Sequence, residues 1–208
     1  MRFFGLTPDQ VLSRVAEPAH YGPRPPSVAF SIFYGAISLG IVSCAAYSIW
    51  AFRLVRGEIP MYSAIAAVYL LVGGFALGRL AIGPGSASRF ALLFATAFLV
   101  YAVAWCAVWF GFKGKFYADF WGGVAGTALF TLLLARAFEK QNGRFLMFLV
   151  LLALYSAGYY LGGMLYGQIK GPAGRLLWGA CHGLGFGAGI GFVLFHCQAP
   201  LKARLHPA

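Results

Sequence analysis

The chain has 208 residues, 61% of them hydrophobic and only 10% charged, with 16 Lys and Arg against 5 Asp and Glu. Apolar runs longer than 18 residues put it in the membrane class and exclude an ordinary soluble domain. The net charge of +11 does not indicate a nucleic-acid binder. The cations lie between and at the ends of apolar runs, with no basic cluster, where they meet anionic lipid phosphates and snorkel.

Residues 1–27 predict a cytoplasmic arm. Thr7-Pro8-Asp9-Gln10 has the form of a helix start, with Thr as N-cap, Pro at the first helical position and Gln closing a capping box. Val11, Leu12 and Val15 then share a face, preceded by Phe3, Phe4 and Leu6. The arm is therefore either a short amphipathic helix on the membrane surface or a free tail. It lacks the continuous apolar core of a cleavable secretory signal. Residues 20–26, with three prolines, end any helix and lead into the bilayer as an extended linker.

Six transmembrane helices follow, at 28–52, 61–82, 90–112, 116–138, 145–168 and 173–197. Each is long enough to cross a hydrocarbon core of about 30 Å. The connections are short and carry charge, Gly or Pro, so neighbouring spans are antiparallel and no extramembrane domain is left to hold a soluble active site. Pro200 stops the last span, and 198–208 is a short basic tail. One side collects Arg2, Arg14, Arg24, Arg79, Arg89, Arg136, Lys140, Arg144, Lys202 and Arg204. The other collects Arg53, Arg56, Lys113, Lys115, Lys170 and Arg175. The excess places both termini in the cytoplasm of a bacterial-type inner or plasma membrane.

The two halves echo one another. Phe33-Tyr34-Gly35-Ala36 matches Phe120-Trp121-Gly122-Gly123 at an offset of 87, and Ala51-Phe52 matches Ala137-Phe138 at an offset of 86. GGFALGRLAIGPGSASRF from Gly73 pairs with GGMLYGQIKGPAGRL from Gly162. A unit of three spans would invert the second copy, the 3+3 plan found in many transporters and pores. The fold class is thus an all-α integral membrane bundle of six spans with a candidate 3+3 inverted-topology internal repeat.

The last span carries the densest signal. Gly179, Gly183, Gly187 and Gly191 recur every fourth residue, with Gly185 and Gly189 beside them. Gly158 and Gly162 repeat the device in span five. Such ridges let helices approach closely in lipid, where no hydrophobic push exists between them. The competing uses are a homo-oligomer seam, a groove for a flat ligand such as a lipid, quinone or pigment, and a helix softened for bending.

His182 is the histidine deep in a span, and an intramembrane ionisable residue is a candidate functional contact. The alternative is an imidazole hydrogen-bonded across a helix interface. His196 lies too far along the helix to share a metal with it, and no partner histidines exist for bis-histidine haem. Asp119 suits either an interfacial acid at a helix N-terminus or a cation or proton site. Arg79 either snorkels or binds a phosphate or an anionic substrate. Tyr155 and Tyr159, one turn apart, either pack or line a polar path. Cys44, Cys106, Cys181 and Cys197 stand singly, which argues against disulfides and thiolate metal sites. No metal site is expected, and the pattern selects no cofactor.

Hydrolase and nucleotide motifs are missing from the spans. Three readings follow. The first is a small transporter or channel-like protein for a neutral or weakly charged small solute. The second is a non-catalytic accessory or assembly subunit of a larger membrane complex. The third, ranked below both, is an intramembrane lipid-modifying enzyme. Expected partners are anionic bilayer lipids and either further copies of the chain or a larger complex, with no nucleic acid.

Overall fold

The structure is a computed structural model and describes residues 2–15 and 26–205. Most of the expected linker at 20–26, and His206, lie outside the described residues. A 3-10 turn at Arg2–Phe4 and α1 (Pro8–Leu12) form the arm. The first span is α2 (Val28–Ala51). The second joins α3 (Glu58–Val68), a π-helical turn (Tyr69–Gly73) and α4 (Gly74–Gly78). Then come α5 (Ser86–Gly111), α6 (Ala118–Ala137), α7 (Arg144–Ile169), α8 (Gly171–Cys197) and α9 (Ala199–Leu205).

Among the described residues, six helices are long and apolar enough to cross a membrane. Large apolar side chains face outward along them, among them Ile41, Leu71, Phe75, Leu99, Val103, Leu161 and Met164. Water would penalise such a surface, whereas lipid requires it. The chain is therefore read as an integral membrane protein.

The spans deviate from their expected bounds at the second and third helices. α3 begins at Glu58, ahead of Pro60, because proline in a first turn sacrifices an amide that has no helical partner there. α4 ends at Gly78, which leaves Arg79 in the following turn. α2, α5 and α6 end in Schellman motifs, with Leu54, Gly114 and Lys140 amides donating to the carbonyls of Ile49, Trp109 and Ala135 at 3.0, 2.9 and 2.8 Å. The left-handed position in each is taken by Arg53, Lys113 or Glu139 rather than glycine.

The helices close a ring in chain order. α2 packs on the second span, which packs on α5; α5 packs on α6, α6 on α7, α7 on α8, and α8 returns to α2. Phe94, Phe98, Phe130 and Phe186, contributed by α5, α6 and α8, fill the middle.

The arm and tail clasp each other on the face that bears both termini. Thr7 caps α1, its hydroxyl accepting from the Gln10 amide at 3.4 Å. Val11 is buried with Leu201 and Leu205 of α9 and packs beside Ile82. Asp9 pairs with Arg204, and Arg14 donates to the Pro84 carbonyl at 3.0 Å. Gln198 is buried between spans, accepting from the Ile82 amide at 2.6 Å and donating to the Leu80 carbonyl at 2.9 Å. Residues 199–205, within the short basic tail expected at 198–208, form a docked helix. Pro200 stands in its first turn, where it fits a new helix as well as it ends an old one. Val11→Asp would bury an unpaired carboxylate in this patch and should free the arm. Limited proteolysis of the arm should quicken about tenfold or more, equivalent to ~1.4 kcal/mol; an unchanged rate would mean that Val11 does not hold it.

Candidate functional site

α8 organises the interior because its glycines admit two neighbours at backbone contact. A Cβ on Gly183 would lie 2.6 Å from the Leu39 carbonyl oxygen, and one on Gly187 would lie 2.7 Å from the Leu39 Cβ, both in α2. Gly179 packs on Tyr47 and Gly191 on Ser31, also in α2. On the other side Gly185 and Gly189 meet Leu154, Gly158 and Leu151 of α7, while Gly162 of α7 meets Trp178. The glycine ridges lie within one chain's own helix interfaces.

Held this tightly, α8 presents His182 into the bundle. His182 follows the start of α8 (Gly171) by eleven residues, about 17 Å along an axis of about 40 Å, close to mid-membrane. Its ring lies 5.4 Å from Tyr155, 5.9 Å from Tyr159 and 6.3 Å from Tyr47 between centroids, and stacks on Phe186 at 5.9 Å. Tyr101 continues the cluster, 5.9 Å from Tyr155 and 5.2 Å from Phe186. Trp178 closes the side toward the start of α8, 5.6 Å from Tyr159.

His182 is 9% exposed, and neither ring nitrogen has a hydrogen-bond partner in the protein. The Trp178 indole nitrogen is likewise buried and unpartnered, whereas the Trp105 indole is directed at the Tyr155 hydroxyl. A buried polar group left unpaired costs about 1–3 kcal/mol, so the His182 nitrogens call for an explanation that apolar packing does not give.

Beside this cluster Ser43 links three elements. Its hydroxyl lies 2.5 Å from the Tyr69 hydroxyl and donates to the Gly179 carbonyl at 2.6 Å. Tyr69 opens the π-helical turn and stacks on Phe98 at 4.9 Å. Single π turns are over-represented at functional sites.

Of the residues singled out from sequence, the structure gathers His182, Tyr155 and Tyr159. Asp119, in the first turn of α6, lies near Tyr159 and Tyr160 toward the face away from the termini. Arg79 is exposed at the opposite end of the bundle, apart from the cluster. Tyr47, Tyr69 and Tyr101 join the cluster without being marked as site residues by their sequence positions. Polar-tipped aromatics in apolar spans were the available signal for the tyrosines, and nothing in the sequence marks the π turn. No group of three or more metal-ligating side chains occurs among the described residues.

Fold and site together define an all-helical integral membrane protein of six candidate spans, with a buried imidazole packed among aromatic side chains midway along the last span. Set against protein-family models, curated proteins and solved structures, the chain matches none.

Proposed function

We propose that the protein is a small transporter or channel-like protein for a neutral or weakly charged small solute, which contacts His182 midway across. One observation carries this reading: an imidazole nine-tenths buried between α2, α7 and α8 with both nitrogens free of protein partners. A chamber opened around this cluster by helix movement would offer a donor and an acceptor from neutral imidazole, the Trp178 indole N–H and aromatic faces, without a fixed charge. That chemistry suits a solute with a hydrogen-bonding head and a flat or apolar body. Asp119 and the Tyr159–Tyr160 pair would line its approach from one face.

The inverted 3+3 repeat read from the sequence, taken as part of this proposal, fits the same reading. It would equate α2 with α6, the second span with α7, and α5 with α8. Under that pairing Gly74 against Ala91 corresponds to Gly162 against Trp178, and both are backbone-level contacts. The α2–α8 seam would correspond to the α5–α6 seam, so rocking at the two seams would expose the chamber to alternate sides. The ten-to-six excess of Lys and Arg supports a cytoplasmic location for the face bearing the termini, in an inner or plasma membrane.

A second reading, a non-catalytic subunit of a larger complex, is favoured by the filled centre around Phe94, Phe98, Phe130 and Phe186. The two readings separate in proteoliposomes and in mild detergent. Influx of glycerol, urea, benzamide and benzoate into liposomes should be faster for at least one probe with the protein than without it. The particle should also leave native membranes free of stoichiometric partners. No acceleration for any probe, together with a partner that co-purifies in fixed ratio, would replace the transporter reading with the subunit one.

A further inference from the structure

At the face bearing the termini, a cavity of about 170 Å³ opens between the start of α7 and the end of α8. Lys140, Asn142 and His196 line its polar side, and Leu146, Met147 and Phe192 its apolar side. The His196 ring packs on Phe192 at 4.4 Å. Lys140 and Lys202 both flank His196. The Lys202 ammonium sits 3.4 Å from the centre of the Phe195 ring and donates to the Phe195 carbonyl at 3.4 Å. Arg144 is already committed, donating to the Lys140 carbonyl at 2.7 Å and the Gln141 side-chain oxygen at 2.8 Å.

Glu139 is exposed, and among the described residues neither Lys140 nor Lys202 forms an ion pair. Burial holds the Lys202 ammonium down at about 8, well below a free lysine. It is still charged at neutral pH but short of solvent, and an anion would restore what burial removed.

We propose that this cavity binds an anionic phosphate group, with Lys140 in its wall as the charged contact, Lys202 beside His196 as a second charge that swings toward the anion, and Asn142 and His196 as hydrogen-bonding contacts. The apolar wall and exposed Leu146 favour a lipid head group as the source, with the acyl chain running along α7. The site is independent of the His182 cluster.

The test uses the full chain in nanodiscs. Native mass spectrometry reads retained phosphatidylglycerol against phosphatidylcholine, and a third arm adds inorganic phosphate in phosphatidylcholine discs. Preferential retention of phosphatidylglycerol is expected. It should weaken roughly fivefold for each charge removed in Lys140→Gln and Lys202→Gln, with melting in phosphatidylcholine unchanged as the folding control. The milder His196→Gln serves if a lysine variant fails to fold. Protection by inorganic phosphate alone, lost in the same variants, would keep the site and assign it to a soluble anion. Equal retention of both lipids with no phosphate effect would overturn the proposal. So would an equal loss in Arg53→Gln/Arg56→Gln on the opposite face, because that would be diffuse surface attraction.

Discussion

Replacing His182 with Leu is expected to stop solute movement and to raise thermal stability in the same protein. The two effects have one cause. Both imidazole nitrogens are buried without a partner in the chain, and each unpaired buried group costs about 1–3 kcal/mol. Leu has similar volume and suits a site walled by Tyr155, Tyr159 and Phe186. The substitution removes the unpaired atoms and keeps the contacts, so unfolding should become harder by about 1–3 kcal/mol. It also removes the donor and acceptor on which a passing solute would depend, so flux of any probe that moves should fall at least about tenfold, a loss of ~1.4 kcal/mol at the barrier. A structural histidine would behave in the opposite way: His182→Leu would lower the melting midpoint, and flux would fall only as folded protein is lost. Measuring both on one preparation separates the two cases.

The second large effect concerns two adjacent glycines in one helix. A Cβ at Gly162 would stand 2.6 Å from Trp178 Cδ1 and 2.9 Å from the Trp178 carbonyl oxygen, whereas one at Gly163 would meet nothing within 4 Å. Gly162→Ala therefore has to force α7 and α8 apart, because a backbone carbonyl cannot step aside as a side chain can. Overpacking typically costs about 1–3 kcal/mol, and the upper end is expected here. Gly163→Ala meets no obstacle and should be neutral or gain up to ~1 kcal/mol in helix propensity. Gly187→Ala should resemble Gly162→Ala, since its Cβ would press on Leu39 and Gly35 of α2. Steric-trap or thermal unfolding in detergent measures all three. Equal losses at Gly162 and Gly163 would mean that the α7–α8 interface does not depend on backbone contact.

These glycines show how far the sequence could be read. Their four-residue spacing gave a close-packing ridge, but spacing cannot name the neighbour. Gly179, Gly183, Gly187 and Gly191 face α2, the first span, and only the tertiary fold brings the first and last spans together. The span number was legible from apolar length, while the start of α3 was not, because Pro60 is as compatible with a first turn as with a linker. His182 stood out as an ionisable residue deep in a span, and Tyr155 and Tyr159 as a one-turn pair. Tyr47, Tyr69 and Tyr101 come from α2, the π turn and α5. Their convergence depends on helix rotation, which the even hydrophobicity of a lipid-facing helix leaves unmarked. The docked α9 was hidden by its charge: Lys202 and Arg204 suggest a solvated tail, while Leu201 and Leu205, four residues apart, form the buried stripe.

Transport through this chamber requires His182 to be reachable from water while lying at mid-membrane. The most direct test is side-specific labelling of a His182→Cys variant, with Cys44, Cys106, Cys181 and Cys197 replaced by Ala. A membrane-impermeant thiol reagent is applied to right-side-out and to inverted vesicles. The expected result is labelling from both sides, slowed by whichever probe solute moves in liposomes. If the introduced thiol stays unlabelled from either side over hours, in folded protein, passage through the chamber is contradicted and His182 is left as a packing residue.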